Sequence, residues 1–195
     1  MKKRDFLVLG ATGAGGAAAL PAWAKEPAAR SGKGPVLLTV TGAIAKANRG
    51  PLDPVLDQMM AKQKLAFDRA RVFDYSALTA LPAVTIKPTL EYDKRPHTLS
   101  GPLLAEVLKA SGAGAEGKLA MRAIDGYAPT ISLADARRYR FMVATHLDGK
   151  PIPLGGLGPL WAIYDADRFP EMAARPVDQR FALCPWGLYH IDVQA

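Results

Sequence analysis

Three observations predict an α+β domain: short strand-like and short helical runs alternate irregularly, no βαβ rhythm links them, and no internal repeat marks a solenoid. Residues 36–195 are enough for one packed core, so a single domain is expected there. Cys184 is the only cysteine, so no intramolecular disulfide can form and the core must supply the stability. Leucine and proline beside Cys184 suggest partial burial, where a thiolate is disfavoured.

Ahead of that domain, residues 1–24 have the form of a signal peptide. Lys2, Lys3 and Arg4 give a basic start, an apolar Ala- and Gly-rich run covers 7–20, and Ala22-Trp23-Ala24 supplies a small-x-small cleavage pattern. The run is too short for the roughly 20 residues of a membrane span. Lys3-Arg4-Asp5-Phe6-Leu7 approximates a twin-arginine export signal with Lys in the first basic position. The mature chain is expected to start at Lys25 in the periplasm, without a transmembrane segment, and residues 25–35 read as a flexible leader. Losing residues 1–24 removes three basic residues and one acidic, which lowers the formal charge from +7 to +5. The remaining basic residues are scattered and form no stripe interleaved with aromatics, which argues against nucleic-acid binding.

Within the domain, the β-branched run at 36–41 predicts a strand that stops at Gly42. Val55, Met59 and Met60 are spaced helically over 54–64, with Asp53 as a cap before Pro54. A short helix over 75–81 ends at Pro82, and 83–86 reads as a strand. Leu103, Leu104, Val107 and Leu108 form the buried stripe of a helix that follows Ser100-Gly101-Pro102 and ends at Gly112. Strands are expected at 118–124, 140–147, 159–164 and 188–193, with a short helix over 132–138 and a tight reversal at Asp148-Gly149. Alternation in the last strand points His190 to solvent.

The chemistry-bearing residues are few. Asp125-Gly126-Tyr127 closes a predicted strand, a common place for a ligand site, and the Asp125 carboxylate offers two acceptors to a paired N–H edge. His97, His146 and His190 lack the spacing of a metal site, and His146, at a strand end, is the one expected near a pocket. No hydrolase signature is present.

Ser100-Gly101-Pro102-Leu103-Leu104, Asp125-Gly126-Tyr127, Asp148-Gly149-Lys150-Pro151 and Gly158-Pro159-Leu160-Trp161, in this order, resemble the sulfite oxidase type of molybdopterin-binding domain. The resemblance implies an α+β domain with mixed β-sheets and short helices over 36–195. Enzymes of that family carry a molybdenum-binding Cys upstream of the Ser100-Gly101 position, but residues 85–98 contain none, and Thr89 offers only a hydroxyl. A neutral hydroxyl is a poor replacement for a soft thiolate. Gly-Pro-Leu-Trp resembles a small exported branch of the family that binds pterins without molybdenum, some of whose members work beside membrane-anchored cyclic-di-GMP enzymes. The implied contacts are Trp161 stacking on a flat pterin, with Leu160 and Gly158 beside it. Asp125, Tyr127, His146 and Thr89 complete the candidate set.

The expected cofactor is therefore a pterin, either molybdopterin or a reduced pterin, without molybdenum. A non-catalytic periplasmic protein that relays pterin status to a cyclic-di-GMP enzyme in the membrane is the leading reading. A molybdopterin-dependent oxidoreductase is the alternative, and a structural or interaction domain is a third class.

Overall fold

The computed structural model describes residues 34–195, so the signal peptide expected at 1–24 and most of the leader expected at 25–35 lie outside the described residues. The central element is a five-stranded sheet in the order β2-β1-β11-β5-β6. Its strands are β1 (Val36–Gly42), β2 (Arg71–Asp74), β5 (Lys118–Ala123), β6 (Thr130–Ser132) and β11 (Leu188–Gln194). β1 runs parallel to β11, and every other pair in this sheet is antiparallel. A four-stranded sheet in the order β3-β4-β8-β9 joins β3 (Ala83–Ile86), β4 (Leu99–Pro102), β8 (His146–Leu147) and β9 (Lys150–Pro151). A third pairing joins β7 (Met142–Ala144) to β10 (Trp161–Ile163). This is the α+β architecture expected of a sulfite oxidase-type domain.

The short helices fill the gaps between sheets. Leu104, Val107 and Leu108 of α3 (Leu104–Ser111) enter the core, and Gly112 closes the helix at φ 70°, a left-handed conformation that Gly adopts without a Cβ penalty. The Ser132 hydroxyl oxygen accepts from Asp135 N–H at the start of α4 (Leu133–Arg138), and arginines at its end face the negative pole of the helix dipole. Asp74 caps α2 (Tyr75–Thr79) in the same way. The core joins these helices to all three sheets through Leu38, Val40, Leu99, Leu119, Met121, Val143, Ile163 and Ile191.

The helix expected over 54–64 is shorter, α1 (Gln58–Lys62), because Asp53 Oδ1 accepts from Val55 and Leu56 N–H and closes a separate turn first. The run at 140–147 divides into β7 and β8, which belong to different sheets, and Thr145 between them donates to the Ser100 carbonyl. Ser100-Gly101-Pro102, expected only as the approach to a helix, is strand β4. Gly101 is required there, since a Cβ would lie 2.1 Å from the Val143 carbonyl oxygen of the crossing strand. His190 does not reach solvent: β11 is central and covered on both faces, and this side chain is 2% exposed. Among the described residues no helix is long and apolar enough to cross a membrane.

Loop 87–98, between β3 and β4, is fastened to the β8–β9 hairpin by His97. Its Nδ1 lies 2.7 Å from Asp148 Oδ2 and its Nε2 2.9 Å from Asp93 Oδ2. The Asp148 bond, then that to Asp93, raises the His97 pKa above its ordinary value, while His97 holds both carboxylates below theirs. A histidine raised on folding stabilises fully below its unfolded pKa and loses that contribution as pH rises through the folded value. Thermal stability should therefore fall modestly as pH rises above the ordinary His range, and Asp148→Asn should reduce that slope. Proton NMR titration of His97 checks it, with an unshifted midpoint as the contrary result.

Candidate functional site

A cleft of about 420 Å³ opens where three connecting segments meet. Loop 87–98 contributes Glu91 and Tyr92, the turn after β5 contributes Asp125 and Tyr127, and the strap at 176–187 contributes Asp178, Cys184, Pro185 and Trp186. Three aromatic rings remain open at its walls: Tyr92 is 55% exposed, Tyr127 49% and Trp186 42%.

Each segment is held by specific bonds. Thr89 N–H donates to Asp167 Oδ2 at 2.7 Å, and the Lys87 backbone lies against the Asp165 carboxylate. These two acids lie just after β10 and so tie the loop to the inner strand pair. Glu91 and Trp186 both lie close enough to the Tyr92 hydroxyl to shift it, in opposite directions. Burial first, and the Glu91 carboxylate second, push the Tyr92 phenol up to about 12, so it remains a protonated donor at neutral pH. In the turn, Asp125 Oδ1 accepts from Tyr127 N–H at 2.9 Å, and Gly126 takes φ 95°.

Besides an isolated antiparallel bridge between Trp186 and Trp161, the strap is pinned by aromatic side chains. The carbonyls of three alternate residues, Arg180, Ala182 and Cys184, accept from Tyr164 Oη at 2.7 Å, from Tyr127 Oη, and from Trp161 Nε1 at 3.0 Å. One of these three donors, Tyr127, is also a wall of the cleft. A second cavity of about 270 Å³ lies on the other side of the strap, among Tyr139, Phe141, Tyr164 and Arg175.

The expected site residues divide accordingly. Asp125 and Tyr127 line the cleft. Leu160 and Trp161 lie inside the core at 0% and 1% exposure, with Tyr92 packed on the indole at 6.4 Å between centroids. No face of the Trp161 ring is open to a ligand in this conformation. Gly158 permits close approach of protein backbone, since a Cβ would lie 2.4 Å from the Ile152 carbonyl oxygen. Thr89 shares a loop with Tyr92 but does not line the cleft. His146 sits in the four-stranded sheet, bonded to Tyr75 Oη at 2.8 Å and Thr145 Oγ1 at 2.9 Å, and does not line it either. Reading the chain alone missed Glu91, Tyr92, Asp178 and Trp186 as a group, and only the Pro185-Trp186-Gly187 turn offered a local signal for one of them.

The donor set suits a flat, nitrogen-rich ring better than it suits molybdenum. The aromatic walls can stack on such a ring, and the carboxylates can accept from its amino and ring N–H groups. Cys184, the only thiol, is fully buried, and burial pushes its pKa well up, away from the thiolate a metal needs. Among the described residues no three His, Cys, Asp or Glu side chains converge in a way that could hold a metal ion.

No protein-family model matches the chain, and no curated protein matches its sequence. Among solved structures it is similar to the sulfane dehydrogenase SoxCD from Paracoccus pantotrophus, at a TM-score of 0.52 and 11% sequence identity. That match covers 80% of this chain and 37% of the other, so the chain spans little more than a third of the structure it resembles. At this identity the likeness establishes a shared fold and nothing about a shared reaction.

Proposed function

We propose that this protein binds a pterin in the cleft formed by loop 87–98, the 125–127 turn and the strap, and that it does so without molybdenum chemistry. The observation that carries the reading is the pairing of three half-open aromatic rings with the carboxylates of Glu91, Asp125 and Asp178 around one cavity. A pterin is a flat bicycle with a paired N–H donor edge, and these groups supply stacking surface and acceptors in the same place. The absence of Cys from residues 85–98, together with the buried thiol of Cys184, argues against direct metal ligation.

The export pattern at 1–24 supports a periplasmic site of action. Resemblance to the exported branch supports a role in relaying pterin status to a membrane-anchored cyclic-di-GMP enzyme. A relay requires the partner to bind the loaded and empty forms with different affinity. The strap is suited to that, because Tyr127 connects the cleft wall to the Ala182 carbonyl. The fold shared with a sulfane dehydrogenase favours the second reading, a molybdopterin-dependent oxidoreductase.

Titration of the mature chain with 7,8-dihydrobiopterin, followed by tryptophan fluorescence and calorimetry, tests the binding. Trp186→Ala is expected to weaken it about ten- to a hundredfold, roughly 1.5–3 kcal/mol for lost stacking and apolar burial. No binding by the parent, or equal binding by a folded Trp186→Ala variant, would refute the cleft assignment. Elemental analysis after expression in a molybdenum-replete host is expected to find far less than one metal atom per chain. Close to one atom would favour the oxidoreductase. Pull-down from solubilised membranes, with and without the pterin, tests the relay.

A further inference from the structure

We infer, on the basis of the pterin reading above, that the cleft selects pterins without a phosphate group and rejects phosphate esters, molybdopterin included. The aromatic walls make the cavity a site; the charges around it decide which members of a ligand class can enter. Glu91, Asp125 and Asp178 line the cavity, and among the described residues no Lys, Arg or His does.

Two arginines on segments around the cleft already have partners. The Arg180 guanidinium is committed behind the strap, 2.7 Å from Asp167 Oδ1 and 2.7 Å and 2.9 Å from the carbonyls of Ala173 and Arg175. Arg122 reaches only the Gly126 carbonyl, at 3.4 Å, and does not line the cavity. The Tyr127 N–H of the 125–127 turn is taken by Asp125 Oδ1.

A phosphate carried into this space would lose water and meet carboxylates, with no cation among the described residues that line it. Phosphate recognition ordinarily depends on Arg, Lys or clustered backbone N–H groups. The amino and ring N–H groups of an unphosphorylated pterin, in contrast, gain acceptors. Glu91 and Asp178 therefore act as specificity-determining residues, with Asp125 retained as the acceptor for the ligand's donor edge.

The test compares 7,8-dihydroneopterin with its 3′-triphosphate, and inorganic phosphate alone, against the mature parent and a Glu91→Gln/Asp178→Asn variant, by calorimetry at two salt concentrations. Circular dichroism confirms that the variant is folded. The parent is expected to bind the unphosphorylated pterin at least about tenfold more tightly, to ignore inorganic phosphate, and to discriminate less at high salt because charge repulsion is screened. The variant should narrow the ratio by raising affinity for the triphosphate. Equal binding of both compounds by the parent, or an unchanged ratio in the variant, overturns the inference and leaves the pterin reading standing. Binding of neither compound refutes the pterin reading itself, and the inference with it.

Discussion

Truncating Trp161 to alanine is expected to destabilise the folded chain by about 3–5 kcal/mol, the usual cost of removing a large aromatic from a packed core. The indole is 1% exposed and belongs to a three-residue strand paired with β7. Its N–H also satisfies the Cys184 carbonyl in the strap, so truncation leaves a cavity and an unpaired carbonyl together. Trp161→Phe retains most of the volume and should cost less, about 1–3 kcal/mol, chiefly for the lost hydrogen bond. Trp186→Ala, at the open wall, should cost under about 1 kcal/mol. Urea denaturation of the three variants measures this directly. The comparison separates two roles for Gly-Pro-Leu-Trp. Resemblance assigns Trp161 to the ligand, whereas its burial assigns it to the support of Tyr92 and the strap. A loss below 1 kcal/mol in Trp161→Ala, with weakened pterin binding, would mean that the indole turns outward to meet the ligand.

What the chain revealed in advance depended on whether the signal was local. β1, β3 and β5 read correctly because β-branched or alternating residues lie next to plain turn residues. The α3 stripe and its Gly112 stop were legible for the same reason. β4 was not, because Gly101-Pro102 looks like a turn until the crossing backbone of β7 explains why no Cβ can be present. β2, with Arg and Asp at its ends, is a strand only through its pairing with β1. The same division runs through the site. Asp125 and Tyr127 were visible because Asp-Gly turns at strand ends are local signals, while Tyr92 and Trp186 meet only when loop 87–98 folds back over the strap. His190 was misread because strand alternation assumes one wet face, and a central strand covered on both sides has none.

That buried histidine leads to the second large effect, acid destabilisation. Thr41 Oγ1 lies 3.2 Å from Asp192 Oδ1, to which it donates, and 2.9 Å from His190 Nε2. With its one proton given to Asp192, the hydroxyl accepts from Nε2–H, which selects the Nε2–H tautomer of the neutral ring. Burial lowers the His190 pKa to about 4, with Arg122 pushing the same way and Asp192 opposing. The unfolded chain protonates this ring near pH 6.5, so below that value unfolding takes up a proton that the native state refuses. The contribution is therefore complete above about pH 6.5 and is lost as pH falls toward 4. The loss amounts to about 3 kcal/mol over that interval, a large share of a typical domain's stability. Urea midpoints measured from pH 7 to pH 4 should fall steeply for the parent. His190→Asn should be less stable than the parent at pH 7 but show a flatter decline, because the residue that titrates is gone. Parallel declines in the two proteins would show that other carboxylates dominate acid unfolding, and that His190 accepts a proton in the folded sheet as readily as in the open chain.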